Sequence, residues 1–275
     1  MKDRLNIAMS AARRAGALIL EFYEGDYDVR DKNQSGPHGA AHARSLRDAD
    51  YDPVTSADRA ADDGLRHDLR QAFPEYGWLS EETRDTPHRL TNKRVWVVDP
   101  IDGTKEFVEG IPNFVVSIGL IEKGIPILGV IHNPINKNTY TAINGGGIFF
   151  NGNQTTISDK TEFSQMSMLN SRSETRQGLW ESYIPHFRKL IPIGSIALKL
   201  AMVAAHQTDM VASLKPKNEW DICAGHCLIN EAGGALLTID GKEITYNNPN
   251  TLISPGLVAG NKASVDKMVR LYSND

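Results

Sequence analysis

The stretch WVVDPIDGTKEF, residues 96–107, decides how this chain is read. Val95 to Val98 is a short apolar run that reads as a buried strand. It leads straight into Asp99 and Asp102, with Pro100 between them and Gly103-Thr104 behind. Carboxylates are costly to bury unpaired, so this pair needs solvent, basic partners or a metal ion. Pro100 has no N–H and fixes its own φ, which predicts that the strand stops and bends there. Such a bend turns both side chains and the Ile101 carbonyl toward one point. Hard divalent cations take oxygen donors of that kind, and Mg2+ commonly shares its remaining positions with water and phosphate. D-P-I-D taken alone also suits a plain structural turn. An EF-hand is excluded, because no Glu closes a twelve-residue loop here. The D-x-D-x-T nucleophile loop of haloacid-dehalogenase phosphatases is excluded too, because its aspartates stand two apart rather than three.

Around this stretch the chain alternates helical and strand patterns. Leu5, Ala8, Met9, Ala12, Gly16, Ile19 and Phe22 fall at helical spacing and predict an amphipathic first helix. Asp3, Arg4, Arg13 and Arg14 interrupt it too often for a signal peptide. A polar stretch from Gly25 to Pro53 reads as an extended loop or hairpin. A second helix starts near Ser56 or Asp58, and GWLSEE then leads into Glu81-Glu82. Val115–Ile121 and Ile127–Ile131 read as a hairpin turning at Glu122-Lys123-Gly124, followed by a strand at Tyr140–Ile143 and a positive-φ turn at Asn144–Gly147. Composition shifts near Ser158–Ser164, dividing an N-terminal half, 1–160, from a C-terminal half, 161–275. The second half reads as a strand at Ile191–Ile193, a helix at Ile196–His206, a strand at Met210–Ala212, a helix at Asp221–Ala232, a strand at Leu236–Ile239 and a last helix near Lys262–Tyr272.

With 275 residues, a net charge of −4 and 23% charged residues, the chain has no general attraction for nucleic acid or an anionic membrane. No run is long enough to span a bilayer, and a cytoplasmic location is expected. The two cysteines, Cys223 and Cys227, match no redox or zinc spacing and read as small buried hydrophobes.

The acidic pair has company. D-P-V-T-S-A-D places Asp58 at a helix start, S-E-E precedes the strand, and E-W-D-I-C-A-G places Asp221 at another helix start. Together, D-P-I-D-G-T, W-D-x-x-A-G, the preceding E-E and the upstream P-V-T-x-x-D resemble the inositol monophosphatase superfamily over nearly the whole chain. The resemblance implies an α+β fold, the layered α-β-α-β-α sandwich of inositol monophosphatase and fructose-1,6-bisphosphatase. It implies two or three Mg2+ ions per site, held by Glu81, Asp99, the Ile101 carbonyl, Asp102 and Asp221, and sensitivity to Li+. It assigns Thr104 and Asp58 to orienting the attacking water, with Glu81 also in the catalytic group. Gly103 and Thr104 offer backbone N–H groups to the phosphate. Glu82 reads as an outer or surface carboxylate, and Trp96 and Trp220 as packing residues.

The resemblance implies a small phosphate ester as substrate. Leu214 stands six residues before Trp220, where inositol monophosphatases carry a Glu, and Lys215 and Lys217 follow it. Lys105-Glu106-Phe107 after D-G-T resembles CysQ-type 3′(2′),5′-bisphosphate nucleotidases. The expected reaction is removal of the 3′-phosphate of adenosine 3′,5′-bisphosphate, with Gly194, Ser195, Lys215 and Lys217 on the substrate and Ser171-Arg172 near a distal phosphate. The alternatives are an inositol, sugar or histidinol phosphatase, or a non-catalytic metal or phosphate sensor. The resemblance leaves Lys32, Arg44 and Arg47 as candidates for the basic residue that reaches the metal site, and leaves monomer and homodimer both open.

Overall fold

The computed structural model of the chain describes residues 1–32 and 53–273. Its elements, in order, are α1 (Lys2–Tyr23), β1 (Val29–Asp31), β2 (Pro53–Thr55), α2 (Ser56–Ala72), β3 (Gly77–Ser80), β4 (Arg94–Asp102), α3 (Thr104–Val108), β5 (Val115–Glu122), β6 (Ile125–Asn133), β7 (Asn138–Ile143), β8 (Ile148–Phe150) and β9 (Asn153–Thr155). There follow β10 (Ser167–Ser171), α4 (Arg172–Arg176), β11 (Lys189–Ile193), α5 (Ile196–Ala204), β12 (Met210–Ser213), β13 (Lys217–Asn218), α6 (Glu219–Glu231), β14 (Ala235–Thr238), β15 (Leu252–Ile253), β16 (Leu257–Gly260) and α7 (Lys262–Ser273). Strands β3 to β9 form one sheet in sequence order, and β11-β10-β12-β16-β14 form a second. Helices α1 and α2 cover one face of the first sheet; α5 and α6 fill the space between the sheets, and α7 lies against the second. This is the expected α+β sandwich of five layers, α-β-α-β-α.

Each layer boundary is a hydrophobic cluster. Ala8, Ala12 and Ile19 of α1 and Ala61, Leu65 and Leu69 of α2 pack on Trp96, Val98, Ile118 and Val130 of the sheet. A second cluster joins the other face of that sheet to α5 and α6 and draws on both halves of the chain. A third seats Val265 and Met268 of α7 on Met210, Ala212 and Val258. Strands β4 to β6 are buried on both faces, so their sequences are continuous apolar runs rather than alternating ones.

Strand β4 departs from expectation at Pro100. It continues through the proline to Asp102, because a register shift between Asp99 and Asp102 absorbs the residue that cannot donate to the ladder. The Gly25–Pro53 stretch begins with β1, which pairs antiparallel with β2; residues 33–52, with Arg44 and Arg47, lie outside the described residues. The β5–β6 turn is made at Lys123 and Gly124, both with positive φ, the geometry of a two-residue hairpin.

One packing detail sets the depth of α6. Gly119 and Gly129 face each other across β5 and β6. A side chain on Gly119 would meet Cys223, and one on Gly129 would meet the Ala224 carbonyl. Glycine here lets α6 lie directly on the sheet, and Gly225 on its other side gives the same closeness to Leu200 of α5. Replacing Gly129 by Val is therefore expected to destabilise the fold by about 1–3 kcal/mol, read from urea unfolding. An unchanged midpoint would mean that α6 is not held at this contact.

Candidate active site

The acidic residues converge at the ends of elements. Glu81, Asp99, Ile101, Asp102, Gly103, Thr104, Gly194, Ser195, Lys217 and Asp221 line one cleft of about 310 Å3. Each Asp accepts a backbone N–H. Asp99 takes that of Ile101 at 3.0 Å, and Asp102 that of Ala197 at the start of α5, along with the Ser195 hydroxyl at 2.7 Å. Asp221 takes the Asn218 N–H at 2.7 Å in a capping box that starts α6. Asp58 takes the N–H and hydroxyl of Thr55 at 2.7 and 2.6 Å, the capping box of α2. Local capping chemistry thus places Asp58 and Asp221, while Asp99 is held within its own strand end and Asp102 by the start of α5.

Thr104 links Asp58 to the cleft. Its hydroxyl lies 3.0 Å from Asp58 Oδ1 and 3.1 Å from the Ile101 carbonyl, with one proton to donate between them. Gly103, just before it, has a φ of 108°, and a side chain there would strike the Asn113 carbonyl. Ser195 also has positive φ, 56°, and caps α5 by accepting the Leu198 N–H at 3.0 Å. Strain of this kind persists only where the surroundings fix it.

Burial and mutual repulsion dominate the electrostatics. Burial pushes Asp99 and Asp221 well above the usual carboxylate range, and the charges of Glu81 and Asp102 add to this in both. Burial raises Asp102 to about 6 despite the Ser195 and Ala197 hydrogen bonds and the Lys199 charge. It raises Asp58 to about 7 against its Thr55 bonds. Lys32 reaches this region, pairing with Glu81 at 2.7 Å and Glu82 at 2.6 Å. Burial opposes its charge, but the two glutamates outweigh that and raise its pKa.

This donor set fits Mg2+. It contains carboxylate and carbonyl oxygens without thiol or imidazole, the hard donors that Mg2+ takes. As the side chains stand, no group of three or more Asp, Glu, His or Cys among the described residues is gathered tightly enough to hold a metal ion.

Other residues differ from the sequence reading. Lys215 is not among the residues that line the cleft. Its N–H is held by buried Glu174, which also accepts from Ser213, Leu214 and the Trp180 indole. Arg172 does line the cleft, yet its guanidinium pairs with Glu106 at 2.7 Å and Glu109 at 2.6 Å, away from the role of a free phosphate ligand. Gly194 makes room for Glu106, whose carboxyl occupies the place a side chain would need. Trp96 is fully buried and Trp220 packs on the core, as expected of packing residues.

Two contributors escaped the sequence. Asp62, one turn after Asp58, accepts from Ser80 and Thr83 and so brackets Glu81-Glu82; the i, i+4 spacing was the available signal. Lys199 lies in the apolar face of α5, only 2% exposed, and lines the cleft while donating to the Ile193 carbonyl. Burial, with nearby Lys217, pulls its pKa down to about 8.

A five-layer sandwich with an acidic cleft, where Asp99 and Asp102 at the end of a sheet strand meet Asp221 at the start of α6, is the build of a phosphatase. A profile of the inositol monophosphatase family matches residues 1–272, and the chain belongs to that family, whose members are generally Mg2+-dependent. It is 32% identical over 249 residues to "Inositol monophosphatase 3" of Solanum lycopersicum, covering 87% of each chain. It is 31% identical over 259 residues to "Fructose-1,6-bisphosphatase/inositol-1-monophosphatase" of Thermotoga maritima, covering 93% of each. "Nus factor SuhB" of Pasteurella multocida is 30% identical over 248 residues, 88% of this chain and 87% of that one. Among solved structures, a Thermotoga maritima IMPase superposes with a TM-score of 0.81 at 29% identity, covering 99% of this chain and 97% of that one. Among the described residues no helix is long and apolar enough to cross a membrane.

The raised carboxylate pKa values make a stability test. Above the unfolded value of about 3.9, a group with a raised folded pKa binds more protons folded than unfolded, so stability falls as pH rises through that pKa. His132 and His226, lowered by burial, act oppositely at acid pH. Comparing Asp99→Asn with the parent chain in chelator cancels them. The variant is expected to gain on the parent by up to about 1.4 kcal/mol per pH unit while Asp99 titrates, measured by urea unfolding at pH 5 and pH 8. A difference independent of pH contradicts the assignment.

Proposed function

We propose that this phosphatase cleaves a small phosphate monoester by in-line attack of a water oriented by Thr104 and Asp58. The observation that carries the reading is the hydrogen-bonded line from Asp58 to Thr104 to the Ile101 carbonyl, set beside the carboxylate group. Glu81, Asp99, the Ile101 carbonyl, Asp102 and Asp221 are the residues that would hold Mg2+. When bound, it neutralises phosphate charge and makes the attacking water more acidic.

Thr104 is too weak an acid to act as a base alone. Donating its own proton to Asp58, it turns a lone pair toward the water and accepts that water's proton as the oxygen attacks phosphorus. The ester P–O bond breaks on the opposite side, and the alcohol leaves with a proton from solvent. Asp58, with a pKa near 7 in the metal-free chain, is suited to take up the relayed proton. Asp62 and Lys32 keep Glu81 in place.

For the organic part of the ester, the relatives named as inositol monophosphatases support a polyol phosphate such as inositol 1-phosphate. A nucleoside 3′,5′-bisphosphate is the second reading, favoured by one local feature. Lys199 and Lys217 line the cleft and donate their hydrogen bonds to backbone carbonyls, and Leu214 replaces the hydroxyl-binding Glu.

Phosphate release from inositol 1-phosphate and adenosine 3′,5′-bisphosphate, measured side by side with Mg2+, separates the two. Lys199→Met should raise KM for the bisphosphate and leave that for the inositol ester nearly unchanged. Thr104→Val should lower kcat by about 10²–10⁴ on either substrate, and Thr104→Ser should restore most of it. Full activity in Thr104→Val would sink the water-orienting role.

A further inference from the structure

A larger cavity lies away from the carboxylate cleft. It measures about 960 Å3 and opens between α1 and the β6–β8 part of the first sheet. Its walls are apolar, with Met9 and Leu20 on the helix side and Ile143 and Phe149 on the sheet side. None of the described residues lining it is acidic, whereas Lys2, Arg13 and Lys137 all border it. All three cations are exposed, and none forms an ion pair with another of the described residues.

The cavity has a built frame. Gly16 brings α1 against the sheet so closely that a side chain there would strike the His132 imidazole and Pro134. His132 bonds the Thr139 hydroxyl at 2.9 Å. Burial and the nearby Arg13 charge both lower its pKa, so it lines the space as a neutral ring. On the far wall, Glu231 accepts the N–H groups of Gly145 and Gly147 at 2.9 and 2.8 Å and fixes the β7–β8 turn.

We propose that this cavity is a second binding site, separate from the phosphatase cleft, for a small soluble amphipathic anion such as a medium-chain or aromatic carboxylate. The volume and apolar lining suit a ligand of drug-like size, and polar groups at the rim fix its orientation. The apolar body occupies the space between α1 and β8, and the anionic head meets Arg13 and Lys137. Charge complementarity selects the sign: a cationic amphiphile of equal length would meet three like charges at the rim.

The test uses the full chain and the fluorescent probe anilinonaphthalene sulfonate. It should bind with one site per chain, be displaced by octanoate and resist octylamine. Ala17→Trp fills the cavity from an exposed helix position that lines it, so the fold should stand. That variant should lose probe binding while its thermal unfolding and its phosphate-ester turnover stay as in the parent. Arg13→Glu should weaken the probe by about tenfold. Unchanged binding in Ala17→Trp, or equal displacement by octylamine, overturns the proposal. So does sedimentation showing a dimer that Ala17→Trp dissociates, since the face would then belong to a second copy of the chain.

Discussion

Negative charges that must be buried side by side constrain everything around the cleft. Burial raises the pKa of Asp99, Asp102 and Asp221, and the Glu81 charge adds to it in all three. The fold answers it with backbone dipoles. Asp58, Asp99, Asp102 and Asp221 each accept a main-chain N–H, three of them at helix starts, where unpaired N–H groups are available. The same bonds that start α2, α5 and α6 therefore aim the carboxylates. Lys32 supplies a cation at the Glu81-Glu82 end of the arrangement.

Because the acids come from distant parts of the chain, the halves must be held in register. Asp102, at the end of β4, bonds Ser195 and Ala197 at the start of α5. Asp221 depends on the height of α6 above the sheet, which the Gly119 and Gly129 pair sets. Displacing α6 moves a carboxylate as well as a core contact. Stability and site geometry are coupled here through two residues without side chains.

Much of this was legible in the sequence where local chemistry and position coincide. Thr55 with Asp58, and Asn218 with Asp221, are helix-start signals, and Asp58 and Asp221 are candidate site residues as well, so reading the caps points to the candidate site. The strands next to the motif were readable for their length and apolar content. β3 was not read as a strand, because its four residues, Gly77 to Ser80, are buried on both faces and show no alternation. β16, Leu257–Gly260, was hidden for the same reason. Lys199 was invisible because a lone lysine in an apolar helix gives no sign of where its ammonium ends. For Lys215 nothing in the sequence pointed to Glu174, which holds its backbone N–H from another element.

The cations around the cleft are not equivalent, and their partners rank them. Arg172 is committed to Glu106 and Glu109, and the Glu106 it holds sits in the space left by Gly194. Its charge thus supports the wall on which Ser195 stands. Lys199 and Lys217 donate to carbonyls instead. The nearby Asp102, Glu106 and Glu174 offset part of the Lys199 charge, but the cost of burial, with Lys217 beside it, outweighs them and lowers its pKa to about 8. An anion arriving beside it would relieve that cost, whereas a neutral hydroxyl would relieve little of it. Lys199, inconspicuous in the sequence, is the most deeply buried cation of the cleft and the one an anion beside it would steady most.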